Sequence, residues 1–98
     1  MSVPVSAALR QAFAPSGVLR VALNHGNRVL VARDAKGAPY GITVDLAQAL
    51  AAALDLPLRF IHRDRAIDVS SAATDDLYDI CFLAIDPERA KTLSFTPP

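Results

Sequence analysis

Tyr78-Asp79-Ile80-Cys81-Phe82-Leu83-Ala84-Ile85 is the stretch on which the fold turns. From Ile80 to Ile85 every residue is apolar, with no polar residue at alternate positions. A strand with one wet face alternates, so an unbroken apolar run over residues 78–85 predicts a central parallel strand buried on both faces. Parallel neighbours need crossover connections, usually helical, and the upstream sequence supplies them. Val18–Leu23 reads as a first strand that runs into the polar loop Asn24-His25-Gly26-Asn27, and Leu58–His62 reads as a second strand. Between them Thr43–Leu54 is the most secure helix. Thr43 is its expected N-cap, Asp45 in the first turn suits the helix dipole, and Asp55 and Pro57 end it. Its alanines allow close approach to a sheet.

The remaining segments are weaker. Val5–Phe13 predicts a short amphipathic helix, halted by Pro15 and Gly17 and packed on the edge of the domain. Val29–Ala32 predicts a brief strand, followed by a turn at Asp34-Ala35-Lys36-Gly37 with glycine where positive φ is needed. A helical segment is expected over residues 69–77, a turn or one helical turn over residues 86–90, and an extended piece over residues 92–96. The fold class is therefore α/β, a small and mainly parallel sheet flanked by helices and joined by right-handed crossovers. Ligands of such sheets bind beyond the carboxyl ends of the strands, which singles out three loops: Asn24–Asn27, Arg63–Asp68 and Ala84–Arg89.

Composition narrows the function. The chain has 98 residues, 52% hydrophobic, which suits one small globular core. Ten Lys and Arg balance ten Asp and Glu, and no basic stripe interleaves with aromatics, so nucleic acid is not an expected partner. Cys81 is the single cysteine, which rules out an intrachain disulfide and reads as an inert buried thiol. His25 and His62 stand far apart with no ligand spacing around them, so neither a metal site nor a cofactor is expected. No stretch reaches the roughly 18 apolar residues of a membrane span, so insertion is not expected. The start of the chain lacks the pattern of a signal peptide, which as written predicts a cytoplasmic location.

Four segments carry a resemblance: Gly17-Val-Leu-Arg-Val-Ala22, then Asp34-Ala-Lys-Gly-Ala-Pro-Tyr-Gly-Ile-Thr-Val-Asp-Leu-Ala-Gln-Ala-Leu50, then Tyr78-Asp-Ile80, then Asp86-Pro-Glu-Arg-Ala-Lys-Thr-Leu-Ser-Phe-Thr-Pro-Pro98. Together they resemble the extracellular solute-binding proteins of family 3, which deliver polar amino acids to ABC importers. The resemblance implies a type II periplasmic-binding fold, in which two α/β lobes close on the ligand, and a periplasmic location. It reaches Phe95-Thr-Pro-Pro98, where the family's chain approaches the hinge. On that reading residues 1–16 are a helical arm and residues 17–98 are the first lobe, with the second lobe outside the sequence given.

The resemblance also assigns residues. Arg89 matches the arginine that grips the ligand's α-carboxylate, a role that a planar guanidinium fork suits. Ala84 stands where a small hydroxyl residue often touches the ligand, leaving only a backbone donor. Asp86 replaces a threonine; it is expected either to cap its turn or to compete with the ligand for Arg89. Asn24 stands at a commonly acidic position and Asn27 at one where an aromatic often covers the ligand, which argues against a Lys, Arg or His binder. The alternative for both asparagines is loop closure. Asp45 and Asp79 read as structural, and Tyr78 as core packing.

The leading expectation is thus a binding module and not an enzyme: capture of an amino-acid-like carboxylate for an ABC permease. A dehydratase on the same fold is the alternative, with Asp86, Glu88 or His25 as the only available acid or base. A further alternative is a self-associating one-lobe protein that covers its exposed sheet edges by homo-oligomerisation.

Overall fold

The computed structural model describes residues 6–97. Its organising element is β1 (Leu19–Asn24), in which Leu19, Val21, Ala22 and Leu23 are all at most 1% exposed. β1 pairs in parallel on both sides. On one side β4 (Leu58–Arg63) runs in register from Leu19↔Leu58 to Asn24↔Arg63. On the other, β5 (Ile80–Cys81) pairs through Val21↔Ile80 and Ala22↔Cys81. The strand order is β4-β1-β5, so the parallel α/β sheet is as the sequence predicts.

The apolar run after Tyr78 is placed differently from the expectation. Only Ile80 and Cys81 form a ladder, at the edge of the sheet and half-buried; β1 is the central strand. Continuous apolarity does not by itself specify two neighbours. Beyond Cys81 the chain leaves the sheet, and Ile85 is 56% exposed.

One face of β1 is covered by α2 (Ile42–Leu54), which buries Thr43, Val44, Ala47, Ala51 and Leu54, the stripe that a 3.6-residue period brings to one side. Leu19, Val21 and Leu23 alternate onto this face and form the core with Val31, Val44, Ala47, Ala51 and Ala14. Each of these β1 side chains contributes about 1.5–3 kcal/mol through burial. The N-cap of α2 is Gly41 and not Thr43. Thr43 lies inside the first turn, where its hydroxyl donates to the Leu30 carbonyl at 2.9 Å and ties the helix start to the passing loop. Asp45 does occupy the first turn, and Asp55 closes the helix in the left-handed region at φ 54°.

The opposite face carries α3 (Ala66–Ser70) with Val69 buried. This helix starts earlier and is shorter than the expected segment at residues 69–77. Arg65 precedes it and pairs with Asp68 at 2.9 Å, whereas residues 71–76 form successive tight turns ending at Asp76 with φ 54°, which no helix tolerates. The Tyr78 hydroxyl donates to the Val69 carbonyl at 2.7 Å, the packing role expected of it.

Between β1 and α2, Val29 is 87% exposed and residues 27–31 close as turns onto the Asn27 carbonyl, so the predicted strand at residues 29–32 is displaced. A hairpin follows, formed by β2 (Ala32–Arg33) and β3 (Pro39–Tyr40), antiparallel, with Gly37 at φ 82° in the turn expected at residues 34–37. The first helix, α1 (Ala7–Phe13), is capped by the Ser6 hydroxyl accepting from Leu9 N–H at 3.1 Å; it buries none of its residues fully, and Phe13 alone of them packs on the core. Val5 lies outside the described residues. Thr92–Thr96 forms no ladder; a 3-10 turn at Arg89–Lys91 ends just before it.

Asp79 anchors β5 at the amino end of the sheet. Its side chain is 6% exposed. One carboxylate oxygen accepts from the Arg20 backbone N–H at 2.8 Å and from Arg20 Nε at 3.3 Å, while the other accepts from Nη2 at 2.8 Å. Asp76 takes the rest of the guanidinium through its carbonyl at 2.7 Å and its carboxylate at 2.8 Å. The hydrogen bonds to Asp79, then those to Asp76, raise the guanidinium pKa further above its ordinary value. The structural reading of Asp79 thus has a partner that the sequence did not single out.

Candidate functional site

Because all three strands point the same way, their carboxyl ends bring together the loop after β1, the loop after β4 and the segment after β5. Asn24 and Arg63 are register partners, and the His25 N–H donates to the Arg63 carbonyl at 2.8 Å, which extends the ladder into the loops.

Arg89 opens the 3-10 turn on the third of these segments and is half-buried. Its Nη1 donates to the Ala84 carbonyl at 3.0 Å, which folds the side chain back along its own loop. Among the described residues its guanidinium forms no ion pair. Asp86 accepts from the Glu88 N–H at 2.8 Å and the Arg89 N–H at 3.4 Å through one carboxylate oxygen, a contact that caps the turn. Glu88 pairs with Lys91 at 2.9 Å. Ala84, exposed, offers only backbone groups.

Across the edge, Asn24 accepts from the Gly26 N–H at 2.9 Å and Asn27 from the Val29 N–H at 3.2 Å. Both side-chain carbonyls make the loop-closing contacts set out as their alternative. Gly26 is needed by close approach: a Cβ there would stand 2.6 Å from the Asp64 carbonyl oxygen. The loops after β1 and β4 therefore touch, backbone to backbone.

That contact produces a feature the sequence reading missed. His25 Nε2 and His62 Nδ1 lie 2.7 Å apart, one donating and the other accepting according to tautomer. Their ring centroids are 4.9 Å apart, and Phe60 flanks His62 at 6.4 Å. Separation along the chain suggested no relation, whereas parallel pairing of β1 with β4 predicts one, since Leu23 is opposite His62. Both imidazoles have pKa values held below the ordinary histidine range. Burial is the main cause, followed by the positive charge of Arg33 and, for His25, by His62. Among the described residues no group of three or more His, Cys, Asp or Glu side chains converges as a metal site. Burial raises the Cys81 thiol pKa, in keeping with an inert side chain.

A cavity of about 570 Å³ opens beside the histidine pair, lined by His25, Arg28, Val31, Ala32, Arg33 and Tyr40. No helix among the described residues is long and apolar enough to cross a membrane.

Solved structures share this architecture. The arginine-bound form of domain 1 of TmArgBP, the arginine-binding protein of T. maritima, matches with a TM-score of 0.77 at 24% identity, over 91% of this chain and 70% of that one. An ancestral cyclohexadienyl dehydratase matches with a TM-score of 0.72 at 24% identity, over 90% of this chain and 37% of that one. A lysine-complexed chain from Wolinella succinogenes DSM 1740, described as an ABC-transporter binding component, matches with a TM-score of 0.70 at 28% identity, over 79% of this chain and 34% of that one. The chain thus spans little more than a third of the latter two proteins. No curated protein matches it. The family model for bacterial extracellular solute-binding proteins, family 3, runs from residue 19 at the start of β1 to residue 98, taking in the whole sheet and the turn that carries Arg89, and the chain belongs to that family.

Proposed function

We propose that this chain recognises an amino-acid-like solute for an ABC import system outside the cytoplasm, and that Arg89 grips the ligand's carboxylate. The observation that carries this reading is the setting of Arg89. Its guanidinium is steadied by one bond to the Ala84 carbonyl, is free of Asp86 and Glu88, and sits on the turn beyond the carboxyl end of a parallel strand. A fork with donors left over in such a place suits a carboxylate. Ala84 adds backbone polarity without a hydroxyl, and Asn24 and Asn27, on the loop after β1, are uncharged. A ligand with a small or neutral side chain therefore suits this edge better than a basic one. The arginine-bound domain 1 of TmArgBP supports ligand capture by a single lobe in a relative.

The dehydratase alternative has a fold relative but no chemical support here. Asp86 caps its turn, Glu88 pairs with Lys91, and His25 is hydrogen-bonded to His62. We therefore read the chain as a binding protein without catalysis.

Isothermal calorimetry with neutral, acidic and basic amino acids tests the proposal. Binding of at least one neutral amino acid, weakened about a hundredfold by Arg89→Ala for the loss of a paired charge, is the expected result. An affinity unchanged by Arg89→Ala would remove the clamp from the account.

A further inference from the structure

We propose that the cavity between the loop after β1 and the β2–β3 hairpin is a second, proton-linked binding site for a small oxyanion, a phosphate or a dicarboxylate, held by Arg28 and Arg33 beside the His25–His62 pair. None of Ala84, Asp86 or Arg89 lines this cavity, so it is separate from the carboxylate clamp.

The first argument is charge. Arg28 and Arg33 both line a space of about 570 Å³ and, among the described residues, neither makes an ion pair or a side-chain hydrogen bond. Arg20, by contrast, is paired with Asp76 and Asp79, and Arg65 with Asp68. Two unneutralised guanidiniums on one concave wall raise the local anion concentration and offer planar forks to oxygen. No carboxylate lines the cavity, and Tyr40 is a further lining residue.

The second argument is the histidine pair. With one N–H shared between His25 Nε2 and His62 Nδ1, the neutral pair can take up one further proton and become a third cation on the same rim. The charges that face it are known. Arg33 opposes protonation of both rings, and Asp64, on the loop after β4, favours it for His25. Phe60 flanks His62 without charge. An anion on Arg33 cancels the opposing charge, so anion binding and proton uptake assist each other.

Size also fits. Inorganic phosphate or a four-carbon dicarboxylate fills a small part of such a volume and leaves room for water, as suits an exposed oxyanion site.

The test is an NMR titration of the 98-residue chain with sodium phosphate, sodium succinate and sodium chloride at constant ionic strength, at pH 5.5 and pH 8. Saturable amide shifts at residues 25–40 with phosphate or succinate, and not with chloride, are expected, and whichever of the two binds more tightly identifies the ligand class. An anion that raises the pair's pKa by about one unit binds the protonated form about tenfold more tightly; because phosphate and succinate themselves take up protons between pH 8 and pH 5.5, the expected signature is a ratio of affinity at pH 5.5 to affinity at pH 8 that is larger in the wild type than in His62→Gln. Arg33→Gln removes binding, His62→Gln lowers that ratio, and Arg89→Ala leaves both binding and ratio intact. Absence of saturable shifts with phosphate and succinate, or equal binding by wild type and a folded Arg33→Gln variant, overturns the proposal. Loss of phosphate binding in Arg89→Ala would also overturn it, by merging the two sites. A clamp at Arg89 that fails its own calorimetric test leaves this result untouched.

Discussion

β1 and the segment after β5 are both apolar runs, yet they end up in opposite circumstances. β1 has a strand on each side and a helix on each face, and its Leu19, Val21, Ala22 and Leu23 are at most 1% exposed. The segment after Cys81 has one short ladder behind it, carries Ile85 at 56% exposure, and is shaped mainly by local bonds around Asp86 and Arg89. The contrast separates two tasks. Stability resides in β1 and α2, and the proposed recognition falls to loops that the sheet merely aims, which is how α/β folds usually divide the work.

The largest effect that sharpens this contrast is a cavity in the central strand. Leu23→Ala is expected to destabilise the chain by about 3 kcal/mol, because the surrounding side chains cannot collapse into the space. Urea denaturation checks it, and an equal loss from Ile85→Ala would break the comparison. Next comes the tie that holds the edge strand to the centre. Asp79→Ala leaves the Arg20 guanidinium half-paired and its N–H unpartnered, a cost of about 2–3 kcal/mol for hydrogen bonds to a charged group. Gly26→Ala follows, with about 1–3 kcal/mol from pushing the loop after β1 off the Asp64 carbonyl, and with displaced His25 and His62 resonances as its signature.

The smallest effect is pH-dependent. The folded-state pKa values of His25 and His62 lie below their unfolded value of 6.5, burial being the first cause. The unfolded chain therefore binds more protons as the pH falls. The stability of the neutral pair is fully present above 6.5 and is lost as the pH drops through the folded values. Thermal melts at pH 7.5 and pH 5 should show a lower midpoint at pH 5, and the drop should shrink in a His25→Gln, His62→Gln double variant. An unchanged drop would place its origin elsewhere.

Much of this architecture is visible in the sequence because it is encoded locally. Val18–Leu23, Thr43–Leu54 and Leu58–His62 each carry their own periodicity and stop signals, and each corresponds closely to an observed element. Errors arise where a neighbour decides. Thr43 reads as a cap until the Leu30 carbonyl takes its hydroxyl, and the run after Tyr78 reads as central until the strand order puts it at the edge. Arg20, Asp76 and Asp79 form a cluster that only the pairing of β1 with β5 assembles. At the candidate site, sequence singled out the loops that the sheet's carboxyl edge brings together, whereas the histidine pair depends on strand register between residues 37 apart. Solvent-facing asparagines carry too little local signal to distinguish loop closure from ligand contact, and the structure supplies Gly26 and Val29 as their partners.

The most direct test of the account is an amide-resolved NMR titration of the chain with a neutral amino acid, repeated on Arg89→Ala. We expect saturable shifts confined to residues 24–27 and 84–90 in the wild type and none in the variant, with the resonances of residues 19–23 unmoved in both. Shifts that persist in Arg89→Ala, or that cluster at the amino end of the sheet around Arg20, would contradict a carboxylate clamp beyond β5.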